Sequence, residues 1–190
     1  MPTEVNQGAE LLDTLAIELA RANTHLHIFA GLRENYNKFG NAKDFGDYTL
    51  AAHFGIVLVQ IARAYDHHPK GLNLQHILLN AESLPLDEGN WQSLQKYRSF
   101  CAKTDPHVKK IAIWRNNIFA HYNRKVALGS REDFWSRYPL ELADCQSLID
   151  RAFEILEWAS VVHGCSCNYR RFAHGKDDYL IVLNAQGLKP

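Results

Sequence analysis

Trp114-Arg115-Asn116-Asn117-Ile118-Phe119-Ala120-His121-Tyr122-Asn123 holds the residues of this chain best suited to chemistry. An arginine offers a permanent, fork-shaped ligand for phosphate oxygens. An imidazole titrates near neutrality and can move a proton. Together, six positions apart and with an amide beside the arginine, they suit cleavage of an RNA phosphodiester without a metal. In that reaction the 2′-hydroxyl attacks the adjacent phosphorus, His121 acts as general base or as acid for the leaving 5′-oxygen, and Arg115 stabilises charge on the equatorial oxygens. Asn116 can orient the histidine or hold a phosphate oxygen. The bland alternative is helix surface and core, since an Arg and a His six apart occur by chance in many helical proteins.

Geometry limits what one helix can do with the pair. At about 100° per residue, Arg115 and His121 lie about 120° apart around a helix axis and nearly two turns along it. Arginine's length closes that gap only where the helix ends at His121. Alternatively, a two-fold axis brings two copies of the pair together.

The charge distribution agrees with a phosphate site. From Lys103 to Arg131, seven basic residues (Lys103, Lys109, Lys110, Arg115, Arg124, Lys125 and Arg131) face Asp105 alone, in a chain of zero net charge. Neutrality excludes a globally basic nucleic-acid coat but allows a local patch. A solvated helix face explains the same run equally well.

The elements that must position these residues read as helices. Leu11, Leu15, Leu19, Ala22, Leu26 and Phe29 recur at three- and four-residue spacing, predicting a first helix over about 5–35. Leu50, Phe54, Val57, Ile61 and Ala64 predict a second, ending near Asp66-His67-His68-Pro69. Asn73 can cap a short helix from Leu74. Another runs from about Trp91 to Lys103, and Asp105-Pro106 starts one that continues through about His121. Leu142, Cys145, Ile149, Ala152, Leu156 and Ala159 mark the last, over about 139–163. The expected fold is all-α: an antiparallel up-and-down bundle of four to five main helices over 1–166, with a short extension over 167–190. Within that extension Tyr179–Leu183 reads as a short strand, with pairing to 169–172 as a β-hairpin the natural option.

The remaining features set bounds. At 190 residues, with 46% hydrophobic and 22% charged residues, the chain suits one globular domain. No apolar run approaches the ~20 residues of a membrane span. Met1-Pro2-Thr3-Glu4 lacks the start of a signal peptide, so the expected compartment is the cytosol and no membrane association is expected. Cys165 and Cys167 lie between His163 and His174, but the spacing fits no common zinc pattern, and no metal or cofactor is expected. His67, His68 and His76 read as loop histidines.

Two segments also resemble a known family. Arg115-Asn116 followed by Ala120-His121 resembles the R-x4–6-H motif of the HEPN superfamily, in which a polar residue after the arginine is common. Ile61-Ala62-Arg63-Ala64-Tyr65-Asp66, Gly71-Leu72-Asn73-Leu74 and Ile77-Leu78-Leu79 resemble the second helix and following turn of its abortive-infection, AbiU-type branch. The resemblance spans roughly residues 10–163. It implies a helical bundle, a homodimer whose paired motifs make one composite site, and a metal-independent endoribonuclease of a toxin–antitoxin or phage-defence system, with an antitoxin protein as a further partner. It assigns Arg115 and His121 as the catalytic pair and Asn116 as the supporting polar residue. Members without the motif serve as binding modules, so a non-catalytic nucleotide- or RNA-binding role is the alternative, and a protein-interaction module is a third. Tyr122, Asn123, Lys109 and Arg124 are candidate RNA contacts. Arg63 and Asp66, at the end of the second helix, are candidates for either a substrate contact or an ion pair.

Overall fold

The computed structural model describes residues 4–120, 134, 136–165 and 169–186. Among them lie seven α-helices and no strand: α1 (Glu4–Glu34), α2 (Lys43–Ala64), α3 (Leu74–Glu82), α4 (Glu88–Phe100), α5 (Pro106–Trp114), α6 (Leu142–Val162) and α7 (Asp178–Gln186). The expected all-α bundle is what the chain forms.

Helix ends follow from local chemistry. A 3-10 turn over Tyr36–Phe39 and Gly40, at φ 52°, leave α1 and α2 only a short link, so the two long helices run antiparallel. Asn73 accepts a hydrogen bond from the His76 amide and starts α3. Asp87 does the same for α4 through the Asn90 amide. Asp105 accepts from both the His107 and Val108 amides, with Pro106 filling a first-turn position that needs no N–H donor. Glu141 and Asp144 form a reciprocal capping box at the start of α6.

The core forms where α1, α2 and α6 meet. Leu12, Leu15, Leu19 and Leu26 of α1 pack with Val57, Leu58 and Ile61 of α2 and with Leu148, Ile149, Phe153 and Leu156 of α6. Ile111 and Trp114 bring α5 into the same cluster. Trp114 is decisive for the candidate site. Its ring meets Phe54 and Phe134 edge-on, and its indole N–H donates to the Tyr138 carbonyl at 2.8 Å. The residue after it, Arg115, therefore starts from a fixed point.

Three expectations are corrected. The β-hairpin does not form: 178–186 is helix α7, and 169–172 is irregular. Tyr179 and Leu183 are four residues apart, which is one helical face, and that face packs on Leu32 and Phe39. A short apolar run carries no periodicity able to distinguish the two outcomes. Gly31 makes the docking fit, because a methyl group there would overlap the Tyr179 ring. The segment before α7 is also tied to α1: Asn23 donates to the Arg171 carbonyl, and the Ala173 amide donates to Thr24 Oγ1, both at 2.8 Å.

The second correction concerns α5. It does not continue as α-helix to His121 but ends at Trp114 and passes into a π-helical stretch, Arg115–Ala120. The third concerns α2, which over its 22 residues is long and apolar enough to cross a membrane by composition, a third of that window being buried. Its buried face is the one expected from the sequence; its outer face is apolar as well.

Candidate functional site

Arg115 leads the π-helical stretch on the wall of the bundle next to the end of α2. Such wide turns insert extra backbone into a helix and recur at functional positions. Asn117 donates from its side chain to the Ile113 carbonyl at 2.7 Å, holding the turn across the α-to-π junction. Arg115 is itself partly exposed, its side chain 29% accessible.

Two neighbours orient the guanidinium. Nε donates to Asn116 Oδ1 at 3.0 Å. Nη1 lies 3.9 Å from Asp66 Oδ2, an ion pair beyond hydrogen-bond reach. Asp66 is fixed in turn by accepting from the His67 amide at 2.8 Å through Oδ1. His67 is braced by a 2.8 Å hydrogen bond between Nε2 and the Cys101 carbonyl. The end of α2, the loop after it and the end of α4 thus all support one arginine.

Asp66 therefore serves as the ion-pair partner of Arg115. Arg63, one turn earlier, is exposed and borders a small cavity with Leu15, Glu18, Gln60 and Leu72. Gln60 donates to Glu18 at 3.4 Å, and its carbonyl oxygen is buried. Lys109 is exposed on α5 and, six residues before Arg115, projects about 120° away around the axis. It is not gathered into the Arg115 group. His121, Tyr122, Asn123 and Arg124 lie outside the described residues.

The cationic run is partly neutralised within the fold. Lys110 donates to Asp144 Oδ2 at 2.8 Å, His107 Nδ1 lies 2.9 Å from Asp144 Oδ1, and the Glu141 amide donates to Oδ2 at 3.0 Å. Burial disfavours the charge on Asp144, but the bonds from Lys110, the Glu141 amide and His107 outweigh it and hold the carboxyl below its ordinary pKa. This junction fixes α5 against the start of α6. No sequence signal marked it, because its members are 34 and 37 residues apart.

Among the described residues no group of three or more His, Cys, Asp or Glu is placed to hold a metal ion. Cys101 and Cys145 are buried free thiols.

The family model HEPN_AbiU2, described as AbiU2, matches residues 9–180. The match runs beyond α6 into the tail, past the stretch that carries the resemblance in the sequence. No curated protein and no solved structure gives a match.

Proposed function

Because the chain belongs to the HEPN_AbiU2 family, and so is a HEPN domain of abortive-infection type, we propose that it is a metal-independent endoribonuclease whose site is built from two copies of the chain. The observation that carries this is the state of Arg115. Its Nε is engaged by Asn116, while Asp66 approaches Nη1 only to 3.9 Å. Asn116 thereby aims the guanidinium, and Asp66 is too distant to hold Nη1 by a hydrogen bond, which suits a fork-shaped phosphate ligand.

In the proposed reaction His121 takes the proton from a ribose 2′-hydroxyl. The 2′-oxygen bonds to phosphorus, the bond from phosphorus to the 5′-oxygen breaks, and a second proton donor protonates the leaving oxygen. In a two-fold site the His121 of the other copy fills that role. Arg115 binds the non-bridging oxygens, more tightly as their charge grows. The products are a 2′,3′-cyclic phosphate and a 5′-hydroxyl, and the required 2′-hydroxyl restricts the substrate to RNA. Control by an antitoxin and a place in phage defence belong to the same proposal.

The test is end-labelled RNA incubated with purified protein in EDTA. Wild type yields cyclic-phosphate ends, while Arg115→Ala and His121→Ala lose cleavage by about 100-fold or more. Salt-sensitive binding of RNA that stays intact would replace this proposal with the binding-module alternative.

A further inference from the structure

The turn that follows α2 is built more firmly than a connection needs. In His68-Pro69-Lys70-Gly71 the Gly71 amide donates to the His68 carbonyl at 3.0 Å, closing a β-turn with proline at its second position. Asn73, only 1% exposed, commits both ends of its side chain here. Its Nδ2 donates to the same His68 carbonyl at 3.0 Å, while Oδ1 caps α3. A methyl group on Gly71 would come within 3.1 Å of that Nδ2. On the other side, His67 is anchored to the Cys101 carbonyl. Yet His68, Pro69 and Lys70 are all exposed.

One bond sets the chemistry of His68. The Lys70 amide lies 3.2 Å from His68 Nδ1. A backbone N–H can only donate, so Nδ1 accepts and the ring proton sits on Nε2, the nitrogen farther from the backbone. His68 therefore carries an N–H donor at the tip of an exposed side chain, two residues after Asp66, the ion-pair partner of Arg115.

The charges around it have one sign. From Ile61 to Ala81, Asp66 is the only carboxylate, and it already faces Arg115. Exposed Arg63 lies one turn before it, and exposed Lys70 four residues after it. Exposed Lys103 stands two residues past the carbonyl that anchors His67. Among the described residues none of these three cations is ion-paired. The carboxylates nearest them are committed elsewhere: Glu18 to Arg21 at 2.7 Å, and Asp105 to the α5 cap and to Arg151 at 3.0 Å.

We infer that this turn is the subsite that positions RNA beside Arg115. His68 Nε2–H and the Lys70 ammonium bind phosphate oxygens of nucleotides flanking the scissile bond, and Lys103 and Arg63 extend the cationic surface. A row of donors and cations suits a strand that offers acceptor oxygens at every step. A turn already fixed by Asn73 loses little freedom on binding. The inference rests on the endoribonuclease reading above for the bond that is cut, and names what holds the strand on either side of it.

Steady-state cleavage of a short labelled RNA tests it, with binding measured on the fully 2′-O-methylated RNA, which cannot be cut. Lys70→Gln and His68→Asn each raise KM by about five- to tenfold and leave kcat within about twofold, since each removes a contact made equally before and during reaction. The Asn carbonyl replaces only Nδ1 and keeps the turn. His68→Gln, whose amide nitrogen reaches the place of Nε2, stays within about twofold of wild type. Lys70→Gln also lowers the slope of log affinity against log salt by about 0.7. Exposed Lys38, beyond the opposite end of α2, is the control: Lys38→Gln changes neither KM nor the slope. Wild-type cleavage with KM unaltered in Lys70→Gln and His68→Asn overturns the subsite and leaves the nuclease standing. A fall in kcat at constant KM, or equal losses in His68→Gln and His68→Asn, does the same. Wild-type protein that binds the methylated RNA through Lys70 yet leaves ordinary RNA intact supports the subsite and rejects the nuclease. Failure to bind or cut either RNA rejects both.

Discussion

Arg115 and Asp66, 49 positions apart in the sequence, face each other at 3.9 Å between Nη1 and Oδ2. The pair is loose and half-exposed, so its value lies in orientation more than in stability. Asp66→Asn is expected to leave the melting temperature within about 2 °C of wild type, because exposed pairs of this kind contribute well under ~1 kcal/mol. RNA cleavage should fall by about tenfold or less, against the far larger loss in Arg115→Ala. A large loss of stability with unchanged cleavage would reject the orienting role.

Asp144 is predicted to be the most consequential polar side chain for folding. Its carboxylate accepts from His107, Lys110 and the Glu141 amide. Asp144→Ala strands those donors and should cost about 2–3 kcal/mol, or roughly 5–10 °C in melting temperature. The sign of its pH dependence follows from its lowered pKa. Above the ordinary carboxylate value both states are ionised and the full contribution is present. As pH falls through that value toward the lower folded one, the unfolded chain binds its proton first and stability is lost. Acid melts should show this step in wild type and lack it in Asp144→Ala.

His25 and His53 give a pH dependence of the same sign as Asp144, but in a higher pH range. Their Nδ1 atoms lie 2.7 Å apart across the α1–α2 contact, a separation that needs one ring to donate and the other to accept. Burial lowers the pKa of His25; burial first, then the charge of His25, lowers that of His53. Both rings are thus harder to protonate in the fold than in the unfolded chain. Above about pH 6.5 neither state is protonated and the pair costs nothing. Below it the unfolded chain takes up protons first, so stability declines as pH falls toward the folded values. Melting temperatures from pH 8 to 5 should fall more steeply for wild type than for His53→Gln.

Thiol chemistry should separate the cysteines by depth. Burial, aided by the charge of Asp105 for Cys101 and of Asp144 for Cys145, pushes both thiols up to about 12. At pH 8 neither should react with N-ethylmaleimide until the chain unfolds, whereas the partly exposed Cys165 should label in the folded protein. Mass spectrometry of labelled peptides before and after urea reads this directly. Rapid labelling of Cys145 in the native protein would contradict the packing of α6.

What the sequence determined by itself was local. The three- and four-residue spacing of Leu11 to Phe29 specifies α1, and the caps at Asn73 and Asp105 are visible because a carboxylate or amide bonds an amide two or three residues ahead. The motif that begins at Arg115 is legible for the same reason: its members are neighbours in the chain. The tertiary structure decided everything that depends on distance through space. Periodicity left Asp66 free to pair with Arg63 or a substrate, and the meeting of α2 with the π-helical stretch gave it Arg115 instead. The run from Tyr179 to Leu183 had strand-like composition, but a cleft beside Gly31, Leu32 and Phe39 accepts residues at four-residue spacing, and so it is helix. The apolar pattern of α2 named the face that packs inward but could not say whether the opposite face would also be covered. Both faces are apolar in composition, and only the packing of α1, α5 and α6 against one of them leaves Phe45, Tyr48, Ile56 and Val59 facing outward.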